Sequence, residues 1–280
     1  MNRERVNAPS MFASAARIFE LSLGQMLWSR RSVFLGILLG GPVLLAAIVR
    51  VVVEMYARGF PRINGASVAG PAAFGLIIWL LYIRFIVPIL GVFFGTSLIA
   101  DEVEDKTITY LFTRPIPRSA VLLGKYLAYV VCTVLLVLPS VILVFFLIVP
   151  MGGGSIAREF PSLVTDLAML ALGLVAYGAV FALVGTRMKR PLITGLVFAF
   201  GWEPAVLLFP GYLRRLTVAY YLQALVKHEM PQDSATSVLL QLFHEVPSVA
   251  TSLLGLAVIV GLSLWSAGRA VENREYVLEQ

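Results

Sequence analysis

The chain has 280 residues, of which 59% are hydrophobic and 14% charged, with a mean hydropathy of +0.88. Soluble domains carry about 25% charged residues, so this composition excludes an ordinary water-soluble globule and describes an integral membrane protein. The formal charge of +6 suits a surface facing anionic lipids and calls for no nucleic acid, and the single cysteine, Cys132, leaves no intrachain disulfide or cysteine-based metal cluster.

The first 31 residues hold Arg3, Arg5, Arg17, Arg30 and Arg31 without an early uninterrupted apolar core, so the first span is expected to be an uncleaved anchor. Within this arm, Phe12, Ala15, Ala16, Phe19, Leu23, Met26 and Leu27 fall on one helical face, with Leu21 off it. An amphipathic helix over 10–31 that ends in Arg30 and Arg31 reads as an interfacial elbow, or as a helix packed against the bundle.

A hydrocarbon core roughly 30 Å thick needs about 20 apolar residues per helix. Six stretches meet that length: Val33 to Val53, Ala72 to Ile99, Val121 to Val149, Leu163 to Val184, Pro191 to Phe209 and Val246 to Trp265. The fold class is therefore all-α, a polytopic protein of six transmembrane helices, and the alternation of a membrane β-barrel is absent. With no internal repeat or linker, residues 1–280 form one transmembrane domain. Gly36, Gly40 and Gly41 give the first span a face that another helix can approach closely.

The connections Glu54 to Gly70 and Pro150 to Pro161 are short, whereas residues 210–245 form a longer external loop. Its apolar runs suit short interfacial helices, with Tyr212, Tyr220 and Tyr221 near headgroup depth. His228, Met230 and His244 lack a carboxylate at ligand spacing and make a poor metal set. Six spans put both termini on one side. Fourteen Lys and Arg residues fall on that side against seven on the other, with Arg84 inside a span. The positive-inside rule then predicts cytoplasmic termini in a prokaryotic plasma membrane.

Between the second and third predicted spans lies Asp101 to Tyr126, with four carboxylates, four cations and the prolines Pro115 and Pro117. A segment this polar must face water. The second helix is expected to run out through Asp101 and Glu102, followed by a short helix over Lys106 to Thr113. A Pro-forced turn comes next, with Ser119 as N-cap of the third span. Tyr110, Leu111 and Phe112 offer apolar contacts within this loop, 101–119.

This segment resembles the first cytoplasmic loop of the membrane subunits of type-2 ATP-binding-cassette exporters, which reads E-x-E-x-G-T-L, then L-L-x-R-P-V/I-x-R, then G-K-Y. The matching positions are Glu102, Glu104, Asp105, Thr107, Ile108, Leu111, Arg114, Pro115, Ile116, Arg118, Gly124, Lys125 and Tyr126. Lys106 departs from the pattern, standing where glycine is usual. The resemblance extends to the elbow ending in Arg-Arg, the six spans, Trp202 with Glu203, and Arg274 to Tyr276. It implies a permease whose loop forms a coupling helix, docking through Glu102, Glu104, Asp105, Thr107, Tyr110, Leu111, Arg114, Pro115 and Arg118 onto a cytoplasmic ABC ATPase. It also implies a second copy of the chain or a paralogous permease, with membrane lipids around them. GxxxxGK followed by Ser or Thr occurs nowhere, so ATP and Mg are expected on the partner ATPase, with no cofactor, metal or catalytic residue on this chain.

Arg84 and Glu203 fall inside predicted spans, where a charge is costly and marks a functional position. Each lies about 18 Å in from opposite faces at 1.5 Å per residue, so the two are expected to form an intramembrane pair, structural or functional. Pro204 should bend the helix beside them. Asp166 reads as a helix-dipole residue at the outer start of the fourth span. Two other readings of the chain exist. One is a Mg-dependent membrane transferase using Asp101 and Asp105, although no second acidic cluster accompanies them. The other is a secondary transporter, although inverted repeats are not evident.

Overall fold

The computed structural model describes residues 11–28, 30–56, 62–63, 66–67, 70–104, 118–208, 212–225 and 247–273. Among them, five helices are long and apolar enough to cross a membrane: Val33–Met55, Gly70–Ala100, Arg118–Ile148, Ile156–Arg187 and Val249–Asn273. They are called below the first, second, third, fourth and C-terminal helices. The stretch expected to be the fifth span, Pro191 to Phe209, is helical without a break from Pro191 to Leu208, through Pro191–Val197, Phe198–Trp202 and Glu203–Leu208. The architecture is that of a polytopic all-α membrane protein.

Contacts at the helix ends establish the alternation. Arg50 Nη1, near the end of the first helix, donates to the carbonyls of Phe146 (3.4 Å) and Leu147 (3.3 Å) near the end of the third. The start of the second helix joins them, since Gly70 abuts the carbonyls of Ile148 and Val149. At the opposite end of the bundle, Arg118 Nη1 donates to Glu272 O at 3.4 Å and Arg187 Nη2 to Ser266 Oγ at 3.0 Å.

The second and fourth helices form the core, 56% buried over their most apolar windows, whereas the first and C-terminal helices are 17% buried and present apolar side chains outward. In hydrocarbon an outward Leu or Ile costs nothing, so what holds the helices together is close packing and interhelical hydrogen bonds. Tyr82 Oη and Ser140 Oγ are 2.6 Å apart, and Ser140 Oγ donates to Leu39 O at 3.0 Å, which ties the second, third and first helices together. Tyr129 Oη donates to Leu174 O at 3.0 Å and Tyr126 Oη to Val175 O at 2.8 Å, joining the third helix to the fourth. Cys132 is fully buried among these contacts, a packing residue.

Several boundaries differ from the sequence reading. The fourth helix starts at Ile156 instead of near Leu163, carrying Pro161 in its first turns. Asp166 is consequently about three turns in and buried, and the acid of the first turn is Glu159. Arg118 is already helical, so Ser119 stands inside the third helix and does not cap it. The C-terminal helix continues past Trp265 to Asn273. Outside the spans, Arg62–Ile63 and Ala66–Ser67 form a two-residue antiparallel ladder, Arg62 opposite Ser67. Met151–Gly153 makes a 3-10 turn in which Gly152 (φ 66°) and Gly153 (φ 85°) take the left-handed conformation that glycine adopts freely.

The N-terminal helix, Met11–Leu27, packs on the third helix. Its inward face is shifted from the predicted one, because Ser14, Ala15 and Ser22 are buried while Ala16 is exposed. The cause is proximity: a Cβ at Gly124 would lie 2.6 Å from Ala15 O and 2.9 Å from Ile18 Cβ. Only small side chains fit a contact that close, so serines replace the larger apolar residues that periodicity assigned to the seam.

Candidate functional site

The residues singled out inside the membrane occupy helices of unusual winding. The second helix passes through two π-helical stretches, Ile78–Ile86 and Gly91–Gly95, and Arg84 lies in the first. A third π stretch, Phe198–Trp202, ends immediately before Glu203, whose N–H reaches back to Phe198 O. Such insertions are rare in α-helices and concentrate at functional sites. Pro204 follows in the next turn and has no N–H to restore the regular ladder.

Glu203 is 2% exposed. Tyr177 of the fourth helix donates its hydroxyl to Oε2 of Glu203. The other oxygen, Oε1, accepts the backbone N–H groups of Val218 at 2.9 Å and Ala219 at 3.2 Å. These are the first two residues of the short helix Val218–Gln223. The leading N–H groups of a helix have no partner within it and are ordinarily satisfied by the side chain of the residue just before. Thr217 holds that place, yet its Oγ1 is turned back to Arg214 O at 2.8 Å, and the carboxylate of Glu203 caps the helix in its stead. An anion at a helix N-terminus is also favoured by the helix dipole.

The capped segment is packed inside the bundle. Val218, Ala219 and Leu222 are buried, and Leu222 fills the space beside Gly173, where Val87 also packs. Val87 lies 17 residues after the start of the second helix and Gly173 17 after the start of the fourth, about 25 Å along each helix. Tyr221 covers Gly255 of the C-terminal helix in the same way. The short helix Val218–Gln223 thus packs among the second, fourth and C-terminal helices, a placement that the sequence reading did not anticipate. Irregular backbone is tolerated this deep only where protein surrounds it, and Glu203 supplies the hydrogen bonding it needs.

Arg84 does not close the expected ion pair. Its guanidinium carbon lies 5.3 Å from the centroid of the Trp79 ring, a cation–π contact, and its charge reaches Glu203 and Tyr177 only through space. What the fold brings together around Glu203 is therefore Tyr177 and the backbone of the short helix, with Arg84 an outer electrostatic neighbour. Sequence reasoning missed Tyr177 and residues 218–219. The available signal was the turn dipeptide Pro210–Gly211, which in the sequence stands between Glu203 and the apolar run that begins at Leu216.

The charged segment is only partly within the described residues. Helix Ser97–Glu104 continues the second span through Asp101, Glu102 and Glu104, as the sequence suggested. Asp105, Thr107, Tyr110, Leu111, Arg114 and Pro115 lie outside the described residues, as do His228, Met230 and His244. Arg118 is described, and its bond to Glu272 O fixes the exit of the segment against the last turn of the C-terminal helix. No group of three or more His, Cys, Asp or Glu able to hold a metal occurs among the described residues.

Comparison with protein families gives one match across most of the chain: the family described as ABC-2 family transporter protein, over residues 7–266. No curated protein matches.

Proposed function

Because the chain belongs to the ABC-2 transporter family, we propose that it is the permease subunit of an ABC exporter, forming the substrate pathway and taking work from a separate ATPase. The family match over residues 7–266 carries this reading, and membrane subunits of the family are generally non-catalytic. The sequence holds no phosphate-binding loop, so ATP and Mg belong to the partner. Two copies of the chain, or one with a paralogue, build the pathway. The protein sits in a prokaryotic plasma membrane with both termini in the cytoplasm, since the bundle end bearing Arg118, Arg187, Lys189 and Arg190 is the cation-rich one.

Within this reading the loop 101–119 docks on the ATPase through Glu102, Glu104, Asp105, Thr107, Tyr110, Leu111, Arg114, Pro115 and Arg118. Two features support it as a lever: the second helix extends to Glu104, and Arg118 is bonded to the C-terminal helix. A push on the loop is then delivered to two spans at once. At the other end of the pathway, the segment held by Glu203 forms the external closure. Opening it separates the carboxylate of Glu203 from the backbone N–H groups of Val218 and Ala219.

The test is co-purification with an ATPase carrying a Walker motif and an ABC signature, comparing wild type with Glu104→Arg and Arg114→Glu. Loss of association or of stimulated ATP hydrolysis in the reversals is expected. Unchanged association and ATPase rate would remove the docking role of the loop.

A further inference from the structure

At the cation-rich end, the fourth and C-terminal helices leave between them a cleft of about 480 Å³, walled by Thr186 and Arg187 on one side and Trp265, Ser266, Arg269 and Asn273 on the other. No carboxylate is among the described residues that line it. We propose that this cleft binds the phosphate headgroup of an anionic phospholipid.

The walls are arranged for that ligand. Arg187 is fixed across the cleft by its 3.0 Å bond to Ser266 Oγ, and the Arg269 guanidinium carbon lies 4.4 Å from the Trp265 ring centroid. Stacking on an aromatic face holds the planar guanidinium in one orientation while its edge still presents N–H donors, and such forks match phosphate oxygens. Positions 265, 266, 269 and 273 recur at helical spacing, so one stripe of the C-terminal helix carries all of them.

The surface leading to the cleft selects a lipid over a free phosphate. Leu254, Val258, Leu262 and Trp265 are exposed and follow one another along one face of the C-terminal helix. That face is an apolar track for acyl chains, ending at a tryptophan of the kind that marks the membrane interface and then at paired arginines. An amphiphile with a negative head and two greasy tails matches the sequence of surfaces in order. Asn273 adjoins Glu272, whose carbonyl holds Arg118, so an occupied cleft would brace the exit of the charged loop. This placement in the inner leaflet rests on the orientation proposed above.

Native mass spectrometry of the full chain in detergent, titrated with dioleoyl phosphatidylglycerol, dioleoyl phosphatidylcholine or inorganic phosphate, tests the site. A micelle has no sides and no ATPase is present, so the result is independent of the topology and coupling readings. Wild type is expected to retain phosphatidylglycerol over phosphatidylcholine, and the double variant Arg187→Gln, Arg269→Gln to lose roughly tenfold of that preference. Arg158→Gln, at the opposite end, should leave it unchanged. If the double variant does not fold, Arg269→Lys serves, keeping the charge but losing the fork; a lowered preference is expected from it too. A preference that survives these variants overturns the proposal. So does equal retention of both lipids, or phosphate binding that phosphatidylglycerol does not displace.

Discussion

Tyr177 and Glu203 join the fourth helix to the short helix through a buried hydrogen bond, and the same carboxylate caps Val218–Gln223. One side chain thereby connects two transmembrane elements to the short helix. Removing it leaves two backbone N–H groups and a phenol without acceptors. Glu203→Ala is therefore expected to destabilise the protein by about 1–3 kcal/mol, with Glu203→Gln milder because its carbonyl oxygen still accepts. Thermal unfolding in detergent measures both, and a double-mutant cycle with Tyr177→Phe should show coupling between the two positions.

The seat of the short helix depends on missing side chains. At Gly173 a Cβ would meet Leu222 Cδ1 and Val87 Cγ1, each at 3.2 Å. Gly173→Leu should overpack this contact at a cost of about 1–3 kcal/mol and expel the segment. Limited proteolysis of the 210–245 loop reports it, with faster cleavage expected in the variant at unchanged expression.

Topology gives an independent prediction. Ser155 and Lys189 are exposed at opposite ends of the fourth helix, and the native Cys132 is buried. In intact cells a membrane-impermeant maleimide is expected to label Ser155→Cys but not Lys189→Cys, and to label both after permeabilisation. The reverse pattern would invert the orientation.

The third helix sits against the N-terminal helix through Gly124, beside Ala15 O and Ile18. Gly124→Leu is expected to separate the two helices, measured as lost cross-linking between cysteines introduced at Arg17 and Lys125. Ser14→Ala should be tolerated, because its buried hydroxyl has no hydrogen-bond partner.

The membrane class, the positions of the long helices and the extension of the second helix past Asp101 are legible in composition and apolar run length, because hydrocarbon imposes both. The helix faces are less so. Ser14 and Ser22 lie in a seam where hydropathy predicts larger apolar groups, since within a membrane small size, not hydrophobicity, decides which residues meet. Glu203 is identifiable as costly and hence purposeful. Its partners are not, because a backbone N–H carries no sequence signature and Tyr177 is 26 residues away on another helix.

The most direct measurement of the central claim is site-specific photocross-linking of the co-expressed permease and ATPase in membranes. A photoreactive amino acid at Leu111 should capture the ATPase subunit, more strongly in one nucleotide state than another, while the same group at Ser155 captures none. Capture from Ser155, or none from Leu111 in a complex that still co-purifies, would contradict coupling through this loop.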